Sequence, residues 1–523
     1  MAVTDILSRL NPIAPPSNVK TDMDIAIVGA GFSGLGMAIQ LKEAGIENFT
    51  IIERGSEVGG TWRDNHYPGA ACDVASHLYS YSFEQNPKWS RAFGQQPEIL
   101  EYIKACTEKY DLRKHIRFDT TITESWFNED TGIWHSKTAD GQELTARVVV
   151  SAVGALSDAA YPKIPGLDGF KGKLMHTAQW DDAYDLAGKR VAVIGSGASA
   201  IQVMPEVAKQ AAAVTVFQRT PSWIMPKPDR PIPEKEQQEY AEHPFQLHKR
   251  RFRIYWMSEL FAPFVISDLD FFKKRASALA KGHMKKQIKD PEMRAKVTPD
   301  YKIGCKRVLI SNDWYPALQQ DNVELIADGP ERITDNAIVM KDGRTIEVDA
   351  IVCATGFKVP SSAAPFPVRG RDNKDLSTEW DNGAEGYKGV TVTGFPNLFF
   401  LMGPNTGPSH TSVLTFTEIQ MEYIVKAVAH MARNNLKSLE IKKKVQDKFN
   451  RGIQWRMKHT SWTSGCNSWY LTDSGKNTTL YPGFNWEYRM RMWLFRASEY
   501  NTEKMGKGAA AEPSQVRKRT KAA

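Results

Sequence analysis

Two stretches of this chain each end an apolar, strand-length run in a glycine-rich turn and then enter a helical pattern. This duplication limits the fold more than any other feature. In the first, Asp24-Ile25-Ala26-Ile27-Val28 leads into Gly29-Ala30-Gly31-Phe32-Ser33-Gly34, a helical pattern spans Leu35 to Ala44, and a second strand, Phe49-Thr50-Ile51-Ile52, closes on Glu53. This order predicts a βαβ unit with a phosphate-binding turn at its first strand–helix junction. Gly29 lets the chain turn, Gly31 lets backbone N–H groups approach a pyrophosphate, and Gly34 lets helix and strand pack closely. The helix N-terminus then faces the phosphates with the positive end of its dipole. Glu53, nineteen residues beyond Gly34, is placed to accept both ribose hydroxyls.

The second unit begins with Arg190-Val191-Ala192-Val193-Ile194 and turns through Gly195-Ser196-Gly197-Ala198-Ser199-Ala200. A helix over Ile201 to Lys209 and a strand over Val214-Thr215-Val216-Phe217 follow. This strand ends in Gln218-Arg219-Thr220 rather than in a carboxylate. An acid there would repel a ribose 2′-phosphate, whereas Arg219 offers a bidentate fork and Thr220 a hydroxyl. The pattern therefore selects NADP over NAD. The expected fold class is α/β, with two Rossmann-like dinucleotide-binding domains, for FAD and NADP, and a helical insertion.

A chain of 523 residues has room for two to four domains. Residues 1–22, with Pro12, Pro15 and Pro16, read as a flexible leader. Residues 23–157 and 350–500 are expected to form a discontinuous FAD-binding domain, and residues 158–349 the NADP-binding domain. Within the latter, about 233–295 is helical, charged and aromatic and reads as an insertion. Asp349 to Phe357 reads as a buried strand returning the chain to the first domain, and a helix is expected from about Thr415 to Met431. Much of the net charge of +8 lies near the end of the sequence, in Lys504, Lys507, Arg517, Lys518, Arg519 and Lys521, so 501–523 reads as a disordered basic tail.

The five cysteines include no C-x-x-C pair and are odd in number. That argues against a disulfide framework and a zinc site, and for a reducing, cytoplasmic compartment. No metal is expected, and neither H-E-x-x-H nor G-x-S-x-G occurs. No apolar run reaches the roughly 18 residues of a membrane span, and no signal peptide is read at the N-terminus. A nucleic-acid partner is not needed to explain the charge, and a monomer or weak oligomer is expected.

Two dinucleotide turns imply that electrons pass from a nicotinamide to a second bound cofactor, which FAD can accept and pass on. A reductase, an oxidase and a monooxygenase remain open. A disulfide reductase is disfavoured, since it needs two closely spaced cysteines near the flavin.

The segment Phe170-Lys-Gly-Lys-Leu-Met-His-Thr-Ala-Gln-Trp-Asp181 lies just before the second turn and reads as the join between the two units, placed to sense both nucleotides. The spacing of Phe170, Gly172, His176, Trp180 and Asp181 resembles the fingerprint of Baeyer–Villiger monooxygenases. Both glycine-rich turns, Gly59-Gly60-Thr61-Trp62, Tyr67-Pro68-Gly69 with Asp73, Lys306-Arg307 and Ala354-Thr355-Gly356 extend the resemblance over about residues 24 to 490. The related N- and S-oxygenating flavin monooxygenases carry a similar segment that usually ends in Tyr or Phe, and they are the alternative class. A nucleotide-sensing protein on the same fold is a third.

The resemblance implies that NADPH reduces FAD, that O2 then gives a flavin C4a-peroxide, and that its attack on a ketone yields an ester or lactone, with sulfides oxidised too. A fixed cation is needed near the flavin to stabilise the anionic oxygens. Arg307 matches the family's position for it and Asp73 that of its partner. Lys306 would join Arg219 and Thr220 on the 2′-phosphate. The implied cofactor-binding set also takes in Phe32, Ser33, Arg54, Gly60, Thr61, Trp62, Tyr79, Ser196, Gly197, Ala198, Ser199, Ala354, Thr355 and Gly356. His176 reads as structural ahead of catalytic, setting domain geometry. Ala70-Ala71-Cys72 lacks the Arg that some relatives carry before the acid, so the pocket edge near Asp73 is expected to differ.

Overall fold

The computed structural model describes residues 21–358, 364–466, 468, 470–472 and 474–505. The expected leader lies outside the described residues up to position 20, and the expected tail lies outside them from position 506.

β1 (Met23–Val28), α1 (Phe32–Glu43) and β2 (Phe49–Ile52) form the first βαβ unit. Short α2 (Thr61–Asp64), α3 (Gln96–Lys109) and β3 (Ile116–Arg117) follow. β4 (Ile122–Asn128), β5 (Ile133–Thr138) and β6 (Glu143–Ser151) make an antiparallel meander. The next elements are β7 (Lys173–His176), β8 (Arg190–Ile194), α4 (Ala200–Ala208) and β9 (Ala213–Phe217). Four helices then follow: α5 (Glu234–Glu242), α6 (Pro244–Ile266), α7 (Asp270–Gln287) and α8 (Pro291–Val297). β10 (Val323–Ile326), β11 (Ala350–Cys353), β12 (Val368–Arg369) and β13 (Leu398–Phe400) precede the long α9 (Val413–Arg433). β14 (Leu436–Ile441), α10 (Asn485–Met492) and β15 (Tyr500–Lys504) complete the elements used below.

Two sheets result. The first runs β12-β4-β5-β6-β1-β2-β3, with β13 also on β6. The second runs β10-β9-β8-β11-β7 and is parallel throughout. In the first, β1 is buried along its whole length: Ile25 and Ile27 pack in one core with α1 and α9, and Met23, Ala26 and Val28 in another with meander residues and residues of 368–400. Such double burial explains why β1 and β8 read as continuous apolar runs rather than as alternating ones.

Three expectations are corrected. The first domain does not resume at 350: β11 pairs in parallel with β8 and β7 inside the second sheet, and the chain crosses back only after it. A fully buried parallel strand reads alike in either sheet, so its pattern could not assign it. The tail is not structureless from 501: β15 pairs antiparallel with β14, and Tyr500 is buried with its hydroxyl 2.9 Å from that of Tyr423. The cysteines are not all free: Cys305 and Cys466, 161 residues apart, form a disulfide, with Cα atoms 6.2 Å apart. Sequence spacing cannot reveal a pair that only the tertiary fold brings together, and an odd total does not forbid one bridge. Cys72, Cys106 and Cys353 are buried free thiols.

Candidate active site

At the first turn, Gly29 has φ +106°, and a Cβ there would lie 2.8 Å from the Ala152 carbonyl oxygen. At Gly34 a Cβ would meet the Gly29 carbonyl oxygen at 1.9 Å, so that position admits glycine alone. Gly60, at φ +50°, sets its backbone against Gly31. The N-terminus of α1 has no capping side chain and no acid in its first turn. That leaves amide N–H groups and the positive dipole end for an anion, and no Cβ on either glycine stands in the way, so the turn fits a pyrophosphate.

Glu53 is buried. Its Oε2 accepts from Ala30 N at 2.7 Å, and its Oε1 accepts from Gly55 N and Arg63 Nη1, each at 2.8 Å. An ionised carboxylate has about four acceptor sites. Three are used, so there is room for one ribose hydroxyl rather than the two expected. Arg63 was missed in the sequence because no local pattern ties it to Glu53. Phe32, Trp62 and Tyr79 pack edge to face beside the turn, with Trp62 Nε1 donating to Tyr79 Oη at 3.0 Å. Burial pushes the Tyr79 hydroxyl pKa well up, so it stays protonated. Ser33 is buried in the first turn of α1, and Thr61 opens α2. Arg54 turns elsewhere, reaching Asp158 at 3.3 Å and Asp64 at 3.5 Å.

The second turn repeats the design. Gly195 has φ +127°, and a Cβ there would meet the Ala354 carbonyl oxygen at 2.4 Å. A Cβ on Gly197 would meet nothing within 4 Å, and α4 also begins without a capping bond or an acid. Ser196 Oγ donates to the Thr220 carbonyl at 2.8 Å, tying the turn to the end of β9, while Ala198 and Ser199 lead into α4. Arg219 is exposed there. Lys306 lies close enough that burial first, and then the Arg219 charge, hold its amine below the usual lysine range, against the pull of Asp300. Two adjacent cations at a strand end that lacks a carboxylate fit a phosphate dianion.

Between the two turns, Arg307 donates from Nε at 3.0 Å and from Nη2 at 2.5 Å to Asp73 Oδ2. The Asp73 charge raises the guanidinium pKa above even its ordinary value, so the cation persists at every working pH. The pair is not sealed: 38% of the Arg307 side chain is open. Asp73 belongs to the first unit's loop and Arg307 to the second unit, so the bond crosses between them. Cys305, two residues before Arg307, is tied to Cys466, and Tyr470 of that same loop faces Arg307.

The units also meet where Tyr67 Oη donates to Gln202 Oε1 at 2.8 Å and where Gly69 abuts the Gln202 backbone. The chain crosses between them on two adjacent segments joined by a bridge between Ala159 and Phe357. Ala160 N donates to Gly356 O at 2.9 Å, Lys358 N to Asp158 O at 3.0 Å, and Thr355 Oγ1 to Ala160 O at 2.7 Å. The segment Phe170–Asp181, expected to be the join, instead supplies edge strand β7 beside it. His176 is fully buried against Tyr161 and Phe357 of the crossing segments. Its Nδ1 accepts from Ala178 N at 3.0 Å. Burial lowers its pKa and keeps it neutral. That geometry packs the imidazole against the crossing segments, with Nε2 buried and without a hydrogen-bond partner among the described residues.

The insertion docks on the first unit. Buried Arg251 of α6 donates to the His77, Leu78 and Ser80 carbonyls at 2.9 to 3.2 Å, and buried Glu259 accepts from His410 Nε2 at 2.9 Å and Asn485 N at 3.0 Å. No residue of this interface could be read from the sequence. Among the described residues no cluster of ligands could hold a metal ion, and no helix is long and apolar enough to cross a membrane.

Two dinucleotide cradles facing a cross-unit cation define a two-nucleotide redox protein of the flavin type. The flavin-binding monooxygenase-like pattern matches residues 22–368, and the chain belongs to that family and, within it, to the Baeyer–Villiger monooxygenases. A Baeyer–Villiger monooxygenase of Pseudomonas aeruginosa is 48% identical over 91% of this chain and 91% of its own length. The solved OTEMO complex with FAD and NADP superposes with a TM-score of 0.84 at 26% identity, covering 92% of this chain and all of its own. The NADP+-bound cyclohexanone monooxygenase of Rhodococcus sp. Phi1 reaches 0.83 at 29% identity, covering 94% and 100%.

Proposed function

We propose that this chain is an FAD-containing, NADPH- and O2-dependent Baeyer–Villiger monooxygenase that converts ketones to esters or lactones and also oxidises sulfides. The observation that carries the reading is the Arg307–Asp73 pair held between two phosphate-binding turns. FAD and NADP are present together in a solved relative of the same fold, which supports the cofactor pair. When bound, FAD supplies the electron storage and oxygen chemistry, and NADPH the hydride.

The residues divide the remaining work. The N-termini of α1 and α4 neutralise the two pyrophosphates. Arg219 and Lys306 hold the 2′-phosphate by charge-assisted bonds. Asp73 fixes the orientation of the Arg307 guanidinium and keeps it charged. Arg307 donates to anionic oxygen where negative charge develops, a task a buried lysine would perform less dependably.

Purified protein should be yellow and consume NADPH faster when a ketone is added, with ester or lactone as product. If paired ketone and amine substrates yield only the hydroxylamine, the chain acts as an N-oxygenating flavin monooxygenase and the reading fails.

A further inference from the structure

A cavity of about 680 Å³ opens between α6, the loop at 387–388 and α10, and it shares no residue with the two turns or with the Arg307–Asp73 pair. Its volume lies in the range of small-molecule sites, roughly 300–1,000 Å³. Its walls are apolar and unusually bare. Trp256 is 40% exposed, Met490 69% and Trp493 63%, and Trp486 and Leu494 continue the same surface. Exposed apolar area of this extent marks a binding surface.

Its charge is one-sided. Lys388, Arg489, Arg491 and Arg496 line it against a single acid, Glu499. Three of these cations are engaged: Arg489 pairs with Glu422 at 3.0 Å, Arg491 with Glu487 at 2.8 Å, and Arg496 lies 4.0 Å from Glu499. Glu499 is itself occupied, accepting from the Tyr387 hydroxyl at 2.6 Å. Lys388 is different. It is 94% buried, since 6% of its surface is exposed. Among the described residues its amine has neither a hydrogen-bond acceptor nor an ion-pair partner, and it rests over the rings of Tyr387 at 5.0 Å and Tyr423 at 4.7 Å. Its backbone sits at φ +55°, a conformation a side-chain-bearing residue seldom adopts. Burial is the main reason its pKa falls, to about 8; Glu499 opposes the fall, and Arg496, Arg491 and Lys426 add to it. The body of the side chain is buried while its amine opens on the cavity, so an anion entering there meets a cation that no carboxylate among the described residues pairs with.

We propose that this cavity is a second ligand site, separate from the redox cleft, that binds a long-chain carboxylate, with its carboxylate on Lys388 and its alkyl chain along Trp256, Trp486, Met490 and Trp493. A short anion would leave the apolar walls wet, and a neutral alkane would leave Lys388 unpaired. Only an anionic amphiphile meets both demands. The inference does not depend on the reaction catalysed.

The test is isothermal titration of the full-length holoprotein with monomeric dodecanoate, dodecanol and dodecyltrimethylammonium. One saturable dodecanoate site is expected, with weaker binding of the alcohol and weakest binding of the cation. Lys388→Met should weaken dodecanoate about tenfold or more, the scale of a lost charge-assisted hydrogen bond. Met490→Asp, an exposed change that spares the fold, should weaken it too. Arg307→Ala should leave it intact, since that residue lies in the other cleft. Equal binding of the three amphiphiles would overturn the proposal, as would dodecanoate binding lost in Arg307→Ala but unchanged in Lys388→Met and Met490→Asp. Binding to anionic phospholipid vesicles with none to monomeric dodecanoate would also overturn it, making the surface a membrane contact.

Discussion

Replacing Arg219 by alanine isolates the part of the account concerned with the nicotinamide. Arg219 stands exposed at the end of β9, where a carboxylate would have favoured NAD, and Lys306 lies near enough to feel its charge. A hydrogen bond to a charged group is worth about 1.5–3 kcal/mol. Solvent screening of an exposed guanidinium argues for the lower end, and about 1.4 kcal/mol is a tenfold change. The KM for NADPH should therefore rise roughly tenfold in Arg219→Ala, with kcat within about twofold, because a 2′-phosphate contact is the same in ground and transition states. NADH kinetics should not change. The pH dependence adds a second signature. The folded pKa of Lys306 is lowered, so its amine loses charge at lower pH than a free lysine. KM for NADPH should climb as pH rises through that value, and in Arg219→Ala the climb should move to higher pH, because one of the causes of the depression has gone. Initial rates of NADPH and NADH consumption across a pH series measure all of this. A fall in kcat/KM that is equal for the two nucleotides would refute the reasoning, since Arg219 would then be holding the fold rather than the phosphate.

Gly34→Ala should give protein with little bound flavin, scored by visible absorbance, because its Cβ would lie 1.9 Å from the Gly29 carbonyl oxygen and force the turn open. Asp349 joins β11 to β8 through Arg190, and those bonds lower its pKa from 3.8 to about 2. A depressed carboxylate stabilises the fold above its unfolded pKa, so this contribution should fade between about pH 4 and pH 2 and be missing in Asp349→Asn, as acid unfolding curves would report. Peptide mapping without reductant should recover Cys305 joined to Cys466, and Cys466→Ser should reduce stability by about 2–4 kcal/mol, read by denaturant unfolding.

What the sequence made legible were the features with local grammar. A buried strand, a glycine turn and a helix start lie within a dozen residues of one another, so both cradles could be located, and the absent acid after Phe217 spoke for itself. Arg307 and Asp73 were reached through family resemblance, and the fold brings them to 2.5 Å. The unread features are long-range. Arg63 meets Glu53, Arg251 meets the carbonyls of residues 77, 78 and 80, and Cys305 meets Cys466 only once two sheets are assembled, and such contacts leave no period in the chain. β11 was misplaced because continuous burial gives the same apolar run in either sheet. β15 was missed because its composition merges with the basic residues that follow, although the burial of Tyr500 ties it down.

The central claim is that the Arg307 cation serves oxygen transfer and not flavin reduction. Stopped-flow absorbance of Arg307→Ala mixed anaerobically with NADPH, followed by product analysis in air with a ketone, separates the two. The account predicts flavin bleaching within about tenfold of the parent rate and ester formation down by at least about 10²-fold, the scale of losing one preorganised donor to a developing oxyanion. Ester formed by that variant at close to the parent rate would contradict it.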